Sequence, residues 1–137
     1  MRAAIPCGFA GCGQTAAVVE LIPKGAVYAD GRKDILHELD SGFSGRGTFR
    51  VRDFLRHANY SLAVADYEAV ATVVRGETDD VAAALYRRDK EYAPFFCAEC
   101  GYSYCGTHWK LNPVFDECGF DYYTGCCPVG HRKFIDH

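Results

Sequence analysis

The sequence contains no long apolar run. No stretch approaches the roughly 18 consecutive apolar residues that a membrane-spanning helix needs. The N-terminal residues MRAAIPCGFAGCG have too short an apolar run and too many glycines for a secretory signal peptide. We therefore expect no membrane span and a cytoplasmic, intracellular location. At 137 residues, of which 49% are hydrophobic, the chain is long enough for one folded domain with a modest core.

Cysteine is absent from residues 14–93, although the whole chain has eight. Two cysteines lie in residues 1–13 and six lie in residues 94–137. Because disulfides do not persist in a reducing cytosol, clustered cysteine and histidine indicate metal binding rather than disulfide bonds. We predict a single domain over residues 1–137, in which the two Cys-rich ends form a zinc-binding part and the Cys-free middle forms an α/β insert.

Basic residues are scarce in the last third of the chain. The formal net charge of −3 arises in residues 91–137, which hold three basic and six acidic side chains. An acidic surface repels phosphate backbones, so nucleic-acid binding through the Cys-rich part is disfavoured. The one basic run is Arg46, Arg50, Arg52 and Arg56. Arg50 and Arg52 project from one face of a predicted strand, and we expect that face to be solvated rather than an anion-binding patch.

Motifs of zinc enzymes are also missing. No His-Glu-x2-His occurs, and the zinc-deaminase pattern of His-x-Glu followed by Pro-Cys-x2-Cys is absent. A nucleophilic role for Cys118 or Cys126 would need a basic neighbour, and neither cysteine has one directly beside it in the sequence. We assign no catalytic residue and favour a non-catalytic protein, with enzymatic activity left open.

The middle zone predicts two strands and two helices. TAAVVELIP is rich in β-branched residues and predicts a strand that ends at Pro23, and GTFRVRDFLRH alternates like a half-buried strand. DYEAVATVVRG predicts a helix with Asp66 as N-cap and Gly76 just past its end. TDDVAAALYRRDKEY predicts a second helix with Thr78 as N-cap. The segment KDILHELDSGF, which contains His37, fits either a short helix or a strand.

Eight cysteine and histidine residues form four pairs with the spacing of metal ligands. The pairs are Cys7-x4-Cys12, Cys97-x2-Cys100, Cys105-x2-His108 and Cys127-x3-His131. Cys-x2-Cys is the spacing of a zinc knuckle, a tight turn whose two sulfurs converge on one ion, and the glycine that follows it supplies a permissive backbone. Since tetrahedral zinc takes four ligands, the eight ligands predict two Zn²⁺ ions per chain.

These ligands can be divided between two ions in two ways. In a sequential arrangement the stretch 97–108 wraps one ion, and the remaining pairs meet from opposite ends of the chain. In an interleaved arrangement site one is Cys7, Cys12, Cys105 and His108, and site two is Cys97, Cys100, Cys127 and His131. The interleaved arrangement is favoured because the four residues between Cys100 and Cys105 suit a turn and a strand that leaves the first metal.

Some cysteines and histidines are left outside the sites. Cys127 is favoured over the adjacent Cys126 because it alone begins Cys-Pro-x-Gly-His, and Cys118 is expected to be an ordinary thiol unless it replaces a ligand of site one. Three histidines have no nearby cysteine and are not expected to bind metal: His37, His57 and His137.

The ligand order resembles that of cross-brace and treble-clef zinc modules, the structural class that includes RING, LIM and FYVE domains. CGYSYCGTHW is similar to the Cys-x4-Cys-x2-His stretch of several such fingers. The matching residues lie in the last third of the chain: Cys97, Cys100, Cys105, His108, Cys127 and His131. The resemblance implies a zinc-stabilised module and, by analogy with RING domains, a helper that recruits a conjugating enzyme in ubiquitin-type transfer.

The sequence as a whole predicts a small α+β protein with a zinc-ribbon-like or treble-clef-like base that carries a strand-and-helix insert. Closed four-ligand sites leave no coordination position for a substrate, so both metals are expected to be structural. The expected function is a protein-interaction or regulatory module with a protein partner that the sequence does not identify. The alternatives are the RING-like transfer helper and a nucleic-acid-binding zinc protein, and no membrane partner is expected.

Overall fold

The computed structural model describes residues 1–28, 30–31, 45–55, 57–78 and 80–136. The predictions for KDILHELDSGF, His37, Arg56 and His137 lie outside the described residues. Within them the protein is α+β, with three antiparallel sheets, two α-helices and one 3-10 turn. No helix in this described part is long and apolar enough to cross a membrane.

The first sheet contains four antiparallel strands in the order β1-β2-β3-β4. These strands are β1 (Arg2–Pro6), β2 (Thr15–Pro23), β3 (Gly47–Asp53) and β4 (His57–Leu62). β2 and β3 confirm the two predicted strands. Across them Val19 pairs with Val51 and Leu21 with Phe49, and all four side chains are almost completely buried. One face of this sheet is therefore the main apolar core.

Helix α1 (Val64–Val74) packs on the buried face of the first sheet. Its N-cap is Ala63, which makes no side-chain capping bond, so the prediction of Asp66 as N-cap is wrong. β4 ends at Leu62 and leads directly into the helix, which places Asp66 in the first turn, where a carboxylate is favoured by the helix dipole. Gly76, with φ of +78°, follows the C-cap as predicted.

Helix α2 (Val81–Arg88) packs beside α1. Its N-cap is Asp80 rather than the predicted Thr78, because the Asp80 Oδ1 accepts a hydrogen bond from the Ala83 amide at 3.1 Å. Leu85 is fully buried and packs this helix into the main core. A 3-10 turn (Lys90–Tyr92) follows and leads into the Cys-rich part.

The Cys-rich part contains a two-stranded sheet and a three-stranded sheet, the latter in the order β7-β8-β9. The five strands are β5 (Phe96–Cys97), β6 (Tyr102–Ser103), β7 (Lys110–Asp116), β8 (Gly119–Cys126) and β9 (Arg132–Asp136). Trp109 and Ile135 form the centre of a second, smaller apolar cluster. The Trp109 indole donates a hydrogen bond to the carbonyl of buried Phe95 at 3.1 Å, which ties this cluster to the main core.

Arg50 is buried, and the expectation of a solvated face is wrong at this position. Its side chain is 5% exposed, its guanidinium lies 3.1 Å from Asp30, and it also lies 4.4 Å from the centre of the Tyr28 ring. Asp30 pairs with Arg52 as well. A buried guanidinium is stable only when it is paired, and here one carboxylate and one ring provide that compensation.

Candidate metal centres

The structure places the eight predicted ligands in two groups of four. The groups are Cys7, Cys12, Cys105 and His108, and Cys97, Cys100, Cys127 and His131. Within each group all ligand atoms lie within 4.8 Å of one another. These are the groups of the interleaved arrangement, which we call site one and site two. That they bind metal remains a prediction.

The first pair of site one lies in the loop between β1 and β2. The Cys7 amide donates to the Gln14 carbonyl at 2.8 Å, and the Cys12 amide donates to the Phe9 carbonyl at 3.0 Å. Gly11 has φ of +77°, a left-handed conformation that glycine adopts without a steric penalty. The loop therefore folds back on itself and turns both thiols toward the same point.

The second pair of site one lies in the turn between β6 and β7. The His108 amide donates to the Cys105 carbonyl at 3.0 Å, which closes the turn. The Phe9 ring stacks on the His108 imidazole with ring centres 4.0 Å apart and an angle of 16°. Sequence reasoning missed this contact, which holds the imidazole in one orientation and links the two halves of the site.

The ligand atoms of site one lie close together. His108 Nδ1 is 3.5 Å from the Cys7 sulfur and 3.4 Å from the Cys105 sulfur. The sulfurs of Cys12 and Cys105 are 3.7 Å apart. The Cys105 amide also donates to the Cys7 sulfur at 3.3 Å, an interaction that favours the thiolate.

The thiols of site one differ in their affinity for protons. Burial acts to raise the pKa of Cys105, but hydrogen bonds from the Thr107 backbone and from His108 outweigh it and lower the pKa to about 6. The hydrogen bond from the Gln14 backbone acts to lower the pKa of Cys12, but burial and the neighbouring thiols of Cys105 and Cys7 together outweigh it and raise the pKa. One thiol ionises easily and another resists, which is expected where several thiols crowd together and the charge of one disfavours the charge of the next.

Site two is formed by two tight turns. The turn of Cys97 and Cys100 joins β5 to β6, and the Gly101 amide closes it by donating to the Cys97 carbonyl at 2.8 Å. The turn of Cys127 and His131 joins β8 to β9, and the Cys127 amide donates to the His131 carbonyl at 3.0 Å. Both pairs therefore lie on rigid backbone between strands.

The ligand atoms of site two are equally close. His131 Nδ1 lies 3.7 Å from the Cys97 sulfur, 3.1 Å from the Cys100 sulfur and 3.4 Å from the Cys127 sulfur. The sulfurs of Cys100 and Cys127 are 3.6 Å apart. The other ring nitrogen, Nε2, lies 3.2 Å from the Glu99 carboxylate. Glu99 was missed from the sequence, although its position between the two cysteines of a knuckle is a usable signal.

The thiols of site two also differ in pKa. Burial acts to raise the pKa of Cys127, but hydrogen bonds from the His131 and Val129 backbone outweigh it and lower the pKa to about 7. Burial, together with the neighbouring Cys100 and Cys127 thiols, raises the pKa of Cys97 to about 11. Metal binding would displace the proton of the Cys97 thiol, because only the thiolate is a ligand.

The distances fit a tetrahedral ion. Bond lengths of about 2.3 Å to sulfur and 2.05 Å to nitrogen place two sulfurs about 3.8 Å apart, and a sulfur and a nitrogen about 3.6 Å apart. The separations of 3.6 and 3.7 Å between sulfurs and of 3.1 to 3.7 Å between sulfur and nitrogen lie close to these values. Three sulfurs and one imidazole nitrogen form a donor set that suits zinc.

A family model described as a domain of unknown function, DUF8328, matches residues 1–137. The chain belongs to this family. The match includes both ends of the chain and therefore every ligand of the two sites. No curated protein matches the chain, and no solved structure matches it.

The other two cysteines of this DUF8328 protein lie outside both groups. None of the eight cysteines forms a disulfide bond. Cys127, and not Cys126, belongs to site two. Cys126 is the last residue of β8 and directs its side chain to the face opposite that of buried Gly125. Cys118 is exposed in the turn between β7 and β8, where its amide donates to the Asp116 carboxylate at 2.7 Å.

Proposed function

We propose that this DUF8328 protein is a non-catalytic zinc-binding module with two structural Zn²⁺ ions. The observation that carries the proposal is the pair of Cys3His groups with separations close to those of a tetrahedral ion. Each group supplies four ligands. A zinc ion held by four protein ligands has no open position for water or substrate, so both ions act on the fold rather than on a reaction.

Each ion would be bound by residues that are distant in sequence and would hold those parts of the chain together. Cys7 and Cys105 of site one are 98 residues apart, and a contact between their residues closes the loop that contains strands β2, β3 and β4 of the first sheet and both helices. Zinc binding to such a site contributes folding free energy directly, because the unfolded chain has no preformed site. Cysteines that bind zinc are typical of reducing compartments, where disulfides do not persist, so two zinc sites would suit an intracellular location.

We further propose that site two forms a zinc-ribbon-like base. Its two turns each connect a pair of antiparallel strands, β5 with β6 and β8 with β9, and the ligand atoms of the two turns lie within 4.8 Å of one another. The middle of the chain is then an insert between the first ligand pair of site one and this base.

We propose a protein partner for the tip of the β7–β8 hairpin. Phe115 and Phe120 are 67% and 50% exposed, and their rings meet edge to face with centres 6.1 Å apart. Asp116, Glu117 and Asp121 surround them in sequence. We call these five residues the hairpin surface. Exposed aromatic side chains beside carboxylates suit a protein surface that has an apolar centre and basic residues around it.

The metal proposal is tested by native mass spectrometry of the untagged protein, with elemental analysis to identify the metal. We expect two bound ions per chain, both zinc. A single ion would refute one of the two sites, and a folded protein without metal would refute the proposal. Removal of the metal with a chelator is expected to unfold the protein, which circular dichroism measures.

The partner proposal is tested by comparing the proteins captured from a cell extract by the wild type and by a double variant, Phe115→Ser and Phe120→Ser. The matched control is Val64→Ser, since Val64 is 59% exposed but lies on helix α1. We expect a defined partner to be lost with the double variant and retained with the control. Capture that is the same for all three proteins would refute the role of the hairpin surface.

A further inference from the structure

Two basic residues flank Cys126 on the three-stranded sheet, on the face opposite that of buried Gly125. We call this the outer face of the sheet. In the register of the sheet, Cys126 on β8 pairs with Lys110 on β7 and with Arg132 on β9. Directly paired residues of an antiparallel sheet project from the same face. The sequence showed no basic residue directly beside Cys126, but the sheet places one on each side of it.

These residues line an open groove of about 540 Å³. The residues that line it are Lys110, Leu111, Asn112, Thr124, Gly125, Cys126 and Arg132. None of these described lining residues is acidic. Asn112 and Thr124 pair with each other in the next row of the sheet and add an amide and a hydroxyl beside the two cations.

Most of the basic residues in the acidic last third of the chain line this groove. Residues 91–137 contain three basic residues and six acidic ones, and two of the three basic residues line this groove. The third, Lys133, is half-buried and its ammonium donates to the Phe96 carbonyl at 2.6 Å. Among the described residues neither Lys110 nor Arg132 forms a salt bridge. Their charge is therefore available to an anion.

Two aromatic side chains lie on the same face of the sheet, next to Asn112 and Thr124. Tyr122 and Phe134 stack with ring centres 4.4 Å apart and an angle of 20°. Phe134 is 57% exposed and pairs directly with Thr124, which lines the groove. A flat apolar group bound beside the groove would lie against these rings.

We propose that this groove binds a small ligand that carries a phosphate group and a flat ring. Lys110 and Arg132 hold the phosphate, the Asn112 side-chain amide donates a hydrogen bond to it, and the ring lies along Tyr122 and Phe134. The Thr124 hydroxyl donates to the Asn112 carbonyl at 3.5 Å and is not counted as a donor to the ligand. Two cations and one neutral amide donor suit one phosphate group. A polymer is disfavoured, because the same hairpin bears acidic residues at its tip that would repel further phosphates.

The first test uses the whole 137-residue chain loaded with zinc, and adenosine monophosphate as the probe. Amide shifts in nuclear magnetic resonance spectra are expected to change in β7, β8 and β9, with a dissociation constant of about 1 mM or tighter. Inorganic phosphate is expected to bind more weakly, and adenosine without phosphate more weakly still. No change at about 10 mM adenosine monophosphate would overturn the proposal.

Two variants locate the site. Lys110→Gln and Arg132→Gln are each expected to weaken binding about fivefold, as for the loss of one surface charge contact. The matched control is Lys90→Gln, because Lys90 is an exposed basic residue on the 3-10 turn. Binding that is equally strong in all three variants would overturn the proposal. Tighter binding of a single-stranded oligonucleotide through Lys110 and Arg132 would overturn the assignment of a small ligand.

A second test uses the two thiols outside the metal sites as reporters. Cys126 lies between two cations and Cys118 follows two acids, so the negatively charged iodoacetate should favour Cys126 over Cys118 relative to neutral iodoacetamide. We expect this preference to be about threefold or more at low salt and to vanish at high salt. Adenosine monophosphate should protect Cys126 and leave Cys118 unchanged, as measured by peptide mass spectrometry. Equal behaviour of the two thiols would contradict the proposal.

Discussion

The carboxylate of Glu99 lies 3.2 Å from His131 Nε2, on the side of the imidazole opposite the Nδ1 atom that faces three thiols. Histidines that bind metal commonly donate their second N–H to a carboxylate, which fixes the tautomer and the direction of the ring. The Glu99 contact therefore presents Nδ1, without its proton, to the centre of site two.

Replacement of Glu99 by glutamine is expected to weaken metal binding at site two. The loss of such a carboxylate costs about tenfold to a hundredfold in metal affinity, and the exposure of Glu99 favours the lower value of about tenfold. Competition with a coloured chelator measures the affinity. Glu117→Gln is the matched control, since it removes an acid from the hairpin surface, and it should leave the affinity unchanged. An equal loss in both variants would mean that general electrostatics, and not the contact with His131, is responsible.

Replacement of one ligand cysteine is expected to be far more damaging than replacement of a cysteine outside the sites. Cys97→Ser should lose one zinc ion and lower the free energy of unfolding by about 3 kcal/mol or more, because a structural metal contributes folding free energy. Cys118→Ser and Cys126→Ser should keep both ions and remain within about 0.5 kcal/mol of the wild type. Urea unfolding and native mass spectrometry measure both quantities. A Cys97→Ser protein with two ions and unchanged stability would contradict the structural role of site two.

Metal affinity is expected to fall as the pH is lowered from 8 to 6. Cys97, whose pKa is raised to about 11, carries a proton throughout this range in the metal-free protein and releases it on binding. Cys105, whose pKa is lowered to about 6, is already largely a thiolate and contributes little above pH 7. Each released proton makes affinity about tenfold weaker for each unit of falling pH. Chelator competition at three pH values measures the slope, and an affinity independent of pH would show that thiols are not the ligands.

Local patterns in the sequence predicted the ligand pairs, the two strands β2 and β3 and the end of helix α1 at Gly76. Each of these depends on residues that are neighbours in the chain, such as two cysteines in a tight turn or a glycine with positive φ. Counting four ligands for each ion gave two sites, and the gap of four residues between Cys100 and Cys105 favoured the interleaved division of the ligands.

Other features depend on residues that meet only in the folded chain. The burial of Arg50 requires Asp30 and Tyr28, which lie about twenty residues earlier in sequence, as the numbering shows. The two cations beside Cys126 come from different strands, and only the register of the sheet brings them together. The net charge of the Cys-rich part, counted from the sequence, is therefore correct as a sum. It did not indicate that two of the basic residues lie together in the groove.

Replacement of Gly47 by alanine is expected to disrupt the first sheet. Gly47 is the first residue of β3 and is buried, and a Cβ atom there would lie 2.2 Å from the Ile22 carbonyl oxygen and 2.4 Å from the Tyr67 ring. Backbone and a packed ring cannot both move aside, so we expect a loss of about 3 kcal/mol or more in the free energy of unfolding.

Gly25→Ala is the control for Gly47→Ala. Gly25 has φ of +79° and open space around the position of a Cβ atom, so alanine there meets only backbone strain, with a cost of about 1 kcal/mol. Urea unfolding of the two variants separates a steric clash from backbone strain. Because Gly47 lies in the first sheet and contacts neither group of ligands, any folded Gly47→Ala protein should still hold two zinc ions. Equal stability of the two variants would contradict the close packing of β3 against Tyr67.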